Sequence, residues 1–276
     1  MNTKVTVPAL QRMKQDGRKI VGVVVYDYQM AQIVDRAGVD IVSVGDSVGV
    51  NLWGHRNELE VTVDEMVLVC KAVRRGVAHA LLSCDLPFGP LQEGTAVAVP
   101  AAVRLIKEGG ADVVKLDAAA TFPDALRAIT QAGIPVWAQF GITPHTAFQY
   151  GGMTASATDM AAAKKDRLVD EAKLLQEIGA SMLDFTNSGP VAGAEAVAAV
   201  RIPVIGGLGG GPWLDGRVRS VAAAIGYLAS ALDDETERYA NVAQTTLNAI
   251  KTFADDVRAA RQIRGATPAA RRSGGS

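Results

Sequence analysis

Cysteine, histidine and aromatic residues are scarce in this sequence, and no charge of either sign dominates. The two cysteines, Cys70 in a helical pattern and Cys84 in a strand, form no CxxC or other pairing motif, so we expect both to be reduced and buried. Neither is therefore a candidate nucleophile. A net charge of −1, without a basic run interleaved with aromatics, gives no reason to expect nucleic acid binding.

Long hydrophobic runs are also missing. No apolar stretch reaches the roughly 18 residues that a membrane-spanning helix needs, and the first 19 residues lack the apolar core of a signal peptide. We therefore expect a cytoplasmic protein without membrane contact. With 49% hydrophobic and 21% charged residues, the chain is an ordinary globular protein whose partner is expected to be a small molecule.

Two phrases recur along the chain. The first runs from a glycine into an apolar strand: "RAGVDIVSVGDS" at 36, "EGGADVVKLD" at 108 and "EIGASMLDFTN" at 177. The second places proline at the first position of a strand, in "AGIPVWAQFG" at 132 and "VRIPVIGG" at 200. Amphipathic segments lie between these strands, so the sequence indicates a repeated helix–strand unit.

The strand count favours an α/β fold of the (β/α)8 TIM-barrel type over a doubly wound sheet. The predicted strands are 19–26, 40–46, 79–85, 112–117, 134–139, 181–186, 202–206 and a weak eighth at 218–224. We predict one domain over 1–263, with a short helix at 8–16 before the barrel, one or two helices after 233, and a disordered tail at 264–276.

Three aspartates end neighbouring predicted strands. Asp46 shares parity with Val42 and Val44, and Asp85 and Asp117 end the next two strands, with Lys115 one layer below Asp117. Because the carboxyl ends of barrel strands carry the chemistry of this fold, we expect the three carboxylates to converge on one mouth. The alternative is that each aspartate caps the turn or helix that follows it.

Converging carboxylates repel one another unless a cation holds them. An all-oxygen ligand set points to a hard divalent ion, Mg²⁺ first, with Mn²⁺ or Co²⁺ possible. Such an ion can chelate a 2-oxo acid and favour its enolate, and Lys115 could stabilise the enolate or the substrate carboxylate. A buried ion pair with Asp117 is the alternative for Lys115.

Nine motifs, in order, resemble the ketopantoate hydroxymethyltransferase family of the phosphoenolpyruvate mutase and isocitrate lyase superfamily. They are "VVVYDYQMA" at 23, "VGDSVG" at 44, "GH" at 54, "VTVDEM" with "AVRRG" at 61–76, "DLPFG" at 85, "VVKLD" at 113, "FGITPH" at 140, "YGG" at 150 and "IPVIGGLGGG" at 202. The resemblance covers about residues 8–225.

The resemblance implies a metal-dependent barrel, usually a homo-oligomer, that transfers a one-carbon unit from 5,10-methylenetetrahydrofolate to 3-methyl-2-oxobutanoate. By position, Asp46 and Asp85 match metal ligands, and Ser47 and Lys115 match substrate-contacting residues. Asp117 stands where the family has a glutamate, so a direct metal ligand becomes a water-mediated one.

Two catalytic positions depart from the family pattern. Gln139 replaces a histidine, and Thr186 replaces the catalytic glutamate at the end of the sixth strand. Threonine cannot act as a base near neutral pH. Asp184 has the same parity as Thr186 one layer deeper, so it is either a displaced general base or a structural residue bonded to serine or threonine neighbours. A paralogue with an altered substrate fits these changes.

Three further residues are weaker candidates. Tyr26 either lines the substrate pocket or fills the barrel core. Gly209, in a glycine-rich run, either lets backbone amides approach an anionic substrate or only permits a tight turn. His145, after Pro144, is expected to hydrogen-bond a cofactor or water. The alternative functions are a carbon–carbon lyase, hydrolase or mutase of the same superfamily, and a catalytically silent scaffold.

Overall fold

Eight parallel strands close into a barrel in chain order, which confirms the predicted TIM-barrel fold. The computed structural model describes residues 3–150, 165–186, 190–207 and 211–265. The strands are β1 Ile20–Val24, β2 Ile41–Val44, β3 Leu81–Leu86, β4 Val113–Leu116, β5 Val136–Gly141, β6 Met182–Thr186, β7 Val204–Gly206 and β8 Gly216–Ser220. Strand β8 pairs back onto β1, from Ile20 opposite Gly216 to Val24 opposite Ser220.

Helices alternate with most of the strands along the chain. They are α1 Val7–Gln15, α2 Tyr28–Arg36, α3 Val63–Gly76, α4 Thr95–Lys107, α5 Pro123–Gln131, α6 Lys165–Ile178, α7 Pro190–Ala199, α8 Val221–Ala224 and α9 Val242–Arg258. Local sequence fixes several helix starts. Thr62 and Glu65 form a reciprocal capping box at α3, and the Asp27 carboxylate accepts a hydrogen bond from the Met30 amide at α2.

One apolar cluster fills the lower part of the barrel interior. Every strand contributes one residue to it: Ile20, Ile41, Leu81, Val113, Trp137, Met182, Ile205 and Val218. Leu10 and Met13 of α1 belong to the same cluster, so this helix closes the barrel floor. Because side chains alternate along a strand, the next inward positions toward the mouth are Ser43, Ser83, Lys115, Gln139 and Asp184.

The eighth strand begins earlier than predicted and is shorter. Gly216 and Val218 are buried, while Arg217 and Arg219 alternate with them and are exposed. Because polar residues alternate through the first half of the strand, the pattern of apolar runs did not predict it. The apolar run at 221–224, predicted as strand, is the short helix α8, in keeping with the high helix propensity of its three alanines.

The chain divides into two compact units, Met1–Val221 and Ala222–Ser276. In the second unit, the Asn241 side chain accepts from the Gln244 amide and so caps α9, and its amide donates to the Ala231 carbonyl. The segment 233–241 before α9 is not helical. The single domain over 1–263 stays a prediction, and 266–276 of the predicted tail lies outside the described residues.

Candidate active site

Asp46 reaches the barrel mouth from a turn and not by strand parity. Val42 and Val44 pack in the layer between strands and helices, while Ile41 points into the barrel, so the parity predicted for Asp46 was wrong. Strand β2 ends at Val44, and the following residue, Gly45, leaves little room for a side chain. A Cβ on Gly45 would lie 2.9 Å from Ser47 Oγ and 3.0 Å from a Val24 methyl.

Asp85, Lys115 and Asp184 form a group of charged side chains on the inward faces of β3, β4 and β6. Lys115 Nζ lies 3.0 Å from Asp184 Oδ2 and 3.8 Å from Asp85 Oδ2. The Lys115 ammonium therefore pairs with Asp184 and Asp85, and no ion pair with Asp117 occurs among these described side chains, contrary to the alternative considered for Lys115. Asp184 bonds to a lysine and not to the serine or threonine neighbours envisaged for a structural role.

His145 lies between the other two aspartates. Its Nε2 is 2.7 Å from Asp46 Oδ2, its Nδ1 is 3.9 Å from Asp117 Oδ2, and its backbone amide donates to Asp117 Oδ2 at 3.2 Å. The imidazole is 1% exposed, and the edge of Phe88 packs against it. This position differs from the expected contact with cofactor or water, because the turn after β5 folds inward over the mouth.

Burial dominates the electrostatics of this mouth. It raises the pKa of Asp85 to about 7, against the favourable charge of Lys115 and together with the charges of Asp46 and Asp184. Burial alone would lower the pKa of Lys115, but Asp85 and Asp184 outweigh it and raise that pKa above its usual range. The lysine is therefore a permanent cation at the centre of the site.

The pKa of Asp117 and that of His145 also depart from their usual values. Burial raises the pKa of Asp117, which His145 and a hydrogen bond from Thr143 only partly offset. Burial opposes the charged form of His145, yet the bond to Asp46 and the charge of Asp117 raise its pKa. Ala118, directly after Asp117, has a φ of +51°, a left-handed conformation that costs a non-glycine residue about 1–2 kcal/mol.

Ser47 is oriented by a tyrosine. Its hydroxyl lies 2.9 Å from the Tyr26 hydroxyl, which also accepts a hydrogen bond from the Asn51 amide at 2.9 Å. The Tyr26 ring packs in the hydrophobic core, so this residue fills the core and positions a polar group at the mouth at the same time. Gly209 lies outside the described residues.

Gln139 and Thr186 form a buried neutral pair at the ends of β5 and β6. The Gln139 amide donates to Thr186 Oγ1 at 2.9 Å, and both side chains are almost fully buried. Neither an amide nor an alkyl hydroxyl accepts a proton near neutral pH. These two predicted catalytic positions therefore bring no base to the mouth.

The donor set fits a hard divalent ion that is held by few protein ligands. Four carboxylates, those of Asp46, Asp85, Asp117 and Asp184, surround the Lys115 ammonium and the His145 imidazole, so acidic groups outnumber their basic partners. Asp85 Oδ1 and Asp117 Oδ1 are buried, and neither has a hydrogen-bond partner among the residues that the structure describes. In the described part of the chain, no three His, Cys, Asp or Glu side chains could by themselves hold a metal. Mg²⁺ commonly takes one or two carboxylates, with water and substrate completing its shell.

Sequence reasoning assigned His145 to solvent or cofactor and so missed its place among the aspartates. The usable signal was its position directly after a strand end, in "FGITPH", where a barrel loop can fold over the mouth. Cys70 and Cys84 are free and buried, as predicted, and burial raises the pKa of the Cys84 thiol. No helix in the described ranges is long and apolar enough to cross a bilayer.

Solved structures with the same barrel show the fold. A phosphonopyruvate hydrolase, in complex with oxalate and Mg²⁺, has a TM-score of 0.58 at 12% identity, covering 96% of this chain and 92% of that one. A 2,3-dimethylmalate lyase, a member of the PEP mutase/isocitrate lyase superfamily, has a TM-score of 0.58 at 12% identity, with 96% and 90% covered.

Sequence comparisons resolve the family. A protein from Cyanothece sp. is 38% identical over 256 residues, covering 92% of this chain and 96% of its own length. A protein from Moorella thermoacetica is also 38% identical over 256 residues, covering 93% and 94%. Both are named 3-methyl-2-oxobutanoate hydroxymethyltransferase, and the family model for ketopantoate hydroxymethyltransferase matches residues 4–262. The chain belongs to the ketopantoate hydroxymethyltransferase family, a family of transferases.

Proposed function

We propose that this protein transfers a hydroxymethyl group to C3 of a 2-oxo acid through its enolate, with a divalent metal ion at the barrel mouth. The observation that carries the proposal is the buried Lys115 ammonium, paired with Asp184 and Asp85 at the mouth of a barrel of this family. A fixed cation beside carboxylates suits a reaction in which an anion develops on bound substrate. The name of the relatives supports 3-methyl-2-oxobutanoate as the first substrate to test.

Asp46 and Asp85 are the proposed metal ligands, and Asp117 supports them through water. Asp85 Oδ1 and Asp117 Oδ1, which lack a hydrogen-bond partner within the described ranges, support this assignment. When bound, Mg²⁺, or Mn²⁺ or Co²⁺ in its place, would polarise the ketone of the substrate and favour loss of the C3 proton. The Mg²⁺ and oxalate in a superfamily neighbour agree with this choice of ion and ligand class.

The side chains of the chain divide the remaining work. Lys115 holds a positive charge beside the developing enolate oxygen, and the raised pKa keeps it charged throughout the reaction. The Ser47 hydroxyl, held by Tyr26, binds the substrate carboxylate. His145, in the turn after β5, packs against Phe88, in the loop after β3. Together they cover one side of the mouth and limit the access of water.

The overall reaction balances with one donor and one water molecule. A 2-oxo acid, 5,10-methylenetetrahydrofolate and water give the 3-hydroxymethyl-2-oxo acid and tetrahydrofolate. The enolate carbon forms the new bond to the one-carbon unit, and water supplies its hydroxyl. The family match favours this transfer over the lyase, hydrolase, mutase and scaffold alternatives. We also propose that the protein works in the cytoplasm as a homo-oligomer.

Proton exchange tests the first half of this function. The protein is incubated with Mg²⁺ and 3-methyl-2-oxobutanoate in D₂O, and the C3 proton is followed by NMR. We expect the C3 signal to decay and the methyl doublet to collapse, faster than in a sample without protein. Addition of 5,10-methylenetetrahydrofolate should then yield the hydroxymethyl product. Absence of exchange with every member of a 2-oxo acid panel would refute the proposal.

A further inference from the structure

The proposed function requires a group that accepts the C3 proton. Strand ends normally carry the catalytic residues of a barrel, but the ends of β5 and β6 provide no proton acceptor. Gln139 and Thr186 are neutral and bonded to each other at 2.9 Å. His145 is engaged with Asp46, and Lys115 is a permanent cation. Asp46, Asp85 and Asp117 are the residues proposed to hold the metal ion, so we look for the acceptor at another inward position.

Asp184 occupies such a position one layer below Thr186. Its Cα is in register with that of Gln139 on β5 and Ile205 on β7, so its side chain points into the barrel among the charged residues. The residue is 2% exposed, and Asp184 Oδ2 accepts from Lys115 Nζ at 3.0 Å. Asp184 Oδ1 is buried and has no hydrogen-bond partner among the described residues.

The two oxygens of this carboxylate are thus in different environments. One is fixed by the lysine, which sets the orientation of the carboxylate. The other is buried and has no hydrogen-bond partner among the described residues, so it is free to meet a donor that a bound substrate brings close to it. Lys115 also lies 3.8 Å from Asp85, so one ammonium group joins Asp184 to an aspartate that we propose as a metal ligand.

We infer that Asp184 is the general base of this enzyme, taking the place of a base at the strand end. The inference rests on the proposed function. The C3–H bond of the bound 2-oxo acid breaks, the proton passes to Asp184 Oδ1, and the bonding electron pair forms the C2–C3 double bond of the enolate, with the charge on the C2 oxygen. Lys115 is a positioning residue for Asp184 and lies beside that oxygen.

A purely structural ion pair is the competing explanation, and it predicts different measurements. If Asp184 only compensates Lys115, its loss should weaken folding and substrate binding together. If it is the base, its loss should abolish proton exchange while substrate still binds. The discriminating readouts are therefore the C3 exchange rate, the dissociation constant of the 2-oxo acid by calorimetry, and the urea midpoint.

Asp184→Asn is the main variant, and the barrel floor provides a matched control. Asp215 there pairs with Lys14 at 2.9 Å, and both side chains are largely buried. With Mg²⁺ and 3-methyl-2-oxobutanoate in D₂O, we expect Asp184→Asn to lower the exchange rate at least about 100-fold, as for loss of a general base. The dissociation constant should change less than threefold. Asp215→Asn should leave exchange within twofold of wild type, at a similar loss of stability.

Asp184→Glu keeps the inference testable if the asparagine variant does not fold. We expect this variant to exchange the C3 proton faster than solvent alone, because the carboxylate is retained. The exchange should be slower than in wild type, because the longer side chain displaces that carboxylate. Exchange by Asp184→Asn within threefold of wild type, or a loss of binding as large as its loss of exchange, would overturn the role of Asp184. Wild-type exchange that is otherwise normal would then leave the proposed function standing, whereas absence of wild-type exchange would remove both.

Discussion

Asp85→Asn is expected to stabilise the metal-free protein, by an amount that grows with pH. Burial, opposed by Lys115 at 3.8 Å and reinforced by Asp46 and Asp184, raises the pKa of Asp85 from 3.8 to about 7 on folding. Between these two values the folded state binds more protons than the unfolded chain, so wild-type stability falls as the pH rises through the window. Asparagine has no charged form and escapes this cost.

The magnitude follows from the pKa difference. Since one pKa unit corresponds to about 1.4 kcal/mol, a rise of about three units makes the ionised carboxylate cost about 4 kcal/mol above pH 7, and about 1.5 kcal/mol at pH 5. Asp85 is only 13% exposed, so solvent screens little of this. The asparagine variant should therefore exceed wild type by up to about 4 kcal/mol at pH 8 and by much less at pH 5.

Urea unfolding followed by circular dichroism, in EDTA from pH 5 to 8.5, measures this difference. Asp215→Asn, at the barrel floor, is the control for loss of an ordinary ion-paired carboxylate. Mg²⁺ at 100-fold above its dissociation constant should raise the free energy of unfolding of wild type by about 2.7 kcal/mol. The rise for Asp85→Asn should be smaller. A variant less stable than wild type at pH 8, or a difference independent of pH, would refute the electrostatic account.

Three further substitutions test the polar contacts of the site and the packing of the barrel floor. Lys115→Met should lower the free energy of unfolding by about 3–5 kcal/mol at pH 8, because it leaves buried carboxylates unpaired; urea titration would measure this, and a neutral effect would contradict the ion pairs. Tyr26→Phe should weaken 2-oxo acid binding about fivefold in calorimetry, because one lost hydrogen bond to Ser47 is worth about 1 kcal/mol; unchanged affinity would exclude Ser47 from the substrate site. Leu10→Ala should lower the free energy of unfolding by about 2–5 kcal/mol through a cavity in the barrel floor, and a loss below about 1 kcal/mol would show that α1 does not seal the barrel.

The sequence predicted the barrel and much of the site for local reasons. Apolar runs bounded by turn residues placed the first seven strands within a few residues of their observed positions, because these signals act locally. Parity also placed Asp85 correctly on the inward face of β3 and Lys115 on that of β4. The same rule failed for Asp46, because that residue lies in a turn where alternation no longer holds.

The partners of the charged residues could not be read from the sequence. Lys115 forms an ion pair with Asp184 and not with the nearby Asp117. His145 forms a hydrogen bond with Asp46, a residue 99 positions away in the sequence. Such choices depend on the relative height of strands around the closed barrel and on the path of each loop over the mouth. Neither quantity is encoded in local spacing.

Motifs along the sequence indicated the family by resemblance, while periodicity and strand-end residues predicted the barrel and the acidic residues near its mouth, because both are properties of neighbouring residues. The closed barrel fixed which carboxylate pairs with the lysine, which one binds the histidine, and which oxygens lack a partner among the described residues. Barrel closure brings strands distant in sequence to hydrogen-bonding distance and removes water from between them. Those two effects, proximity and desolvation, raise the pKa of Asp85 and leave one Asp184 oxygen without a hydrogen-bond partner in the described part of the chain.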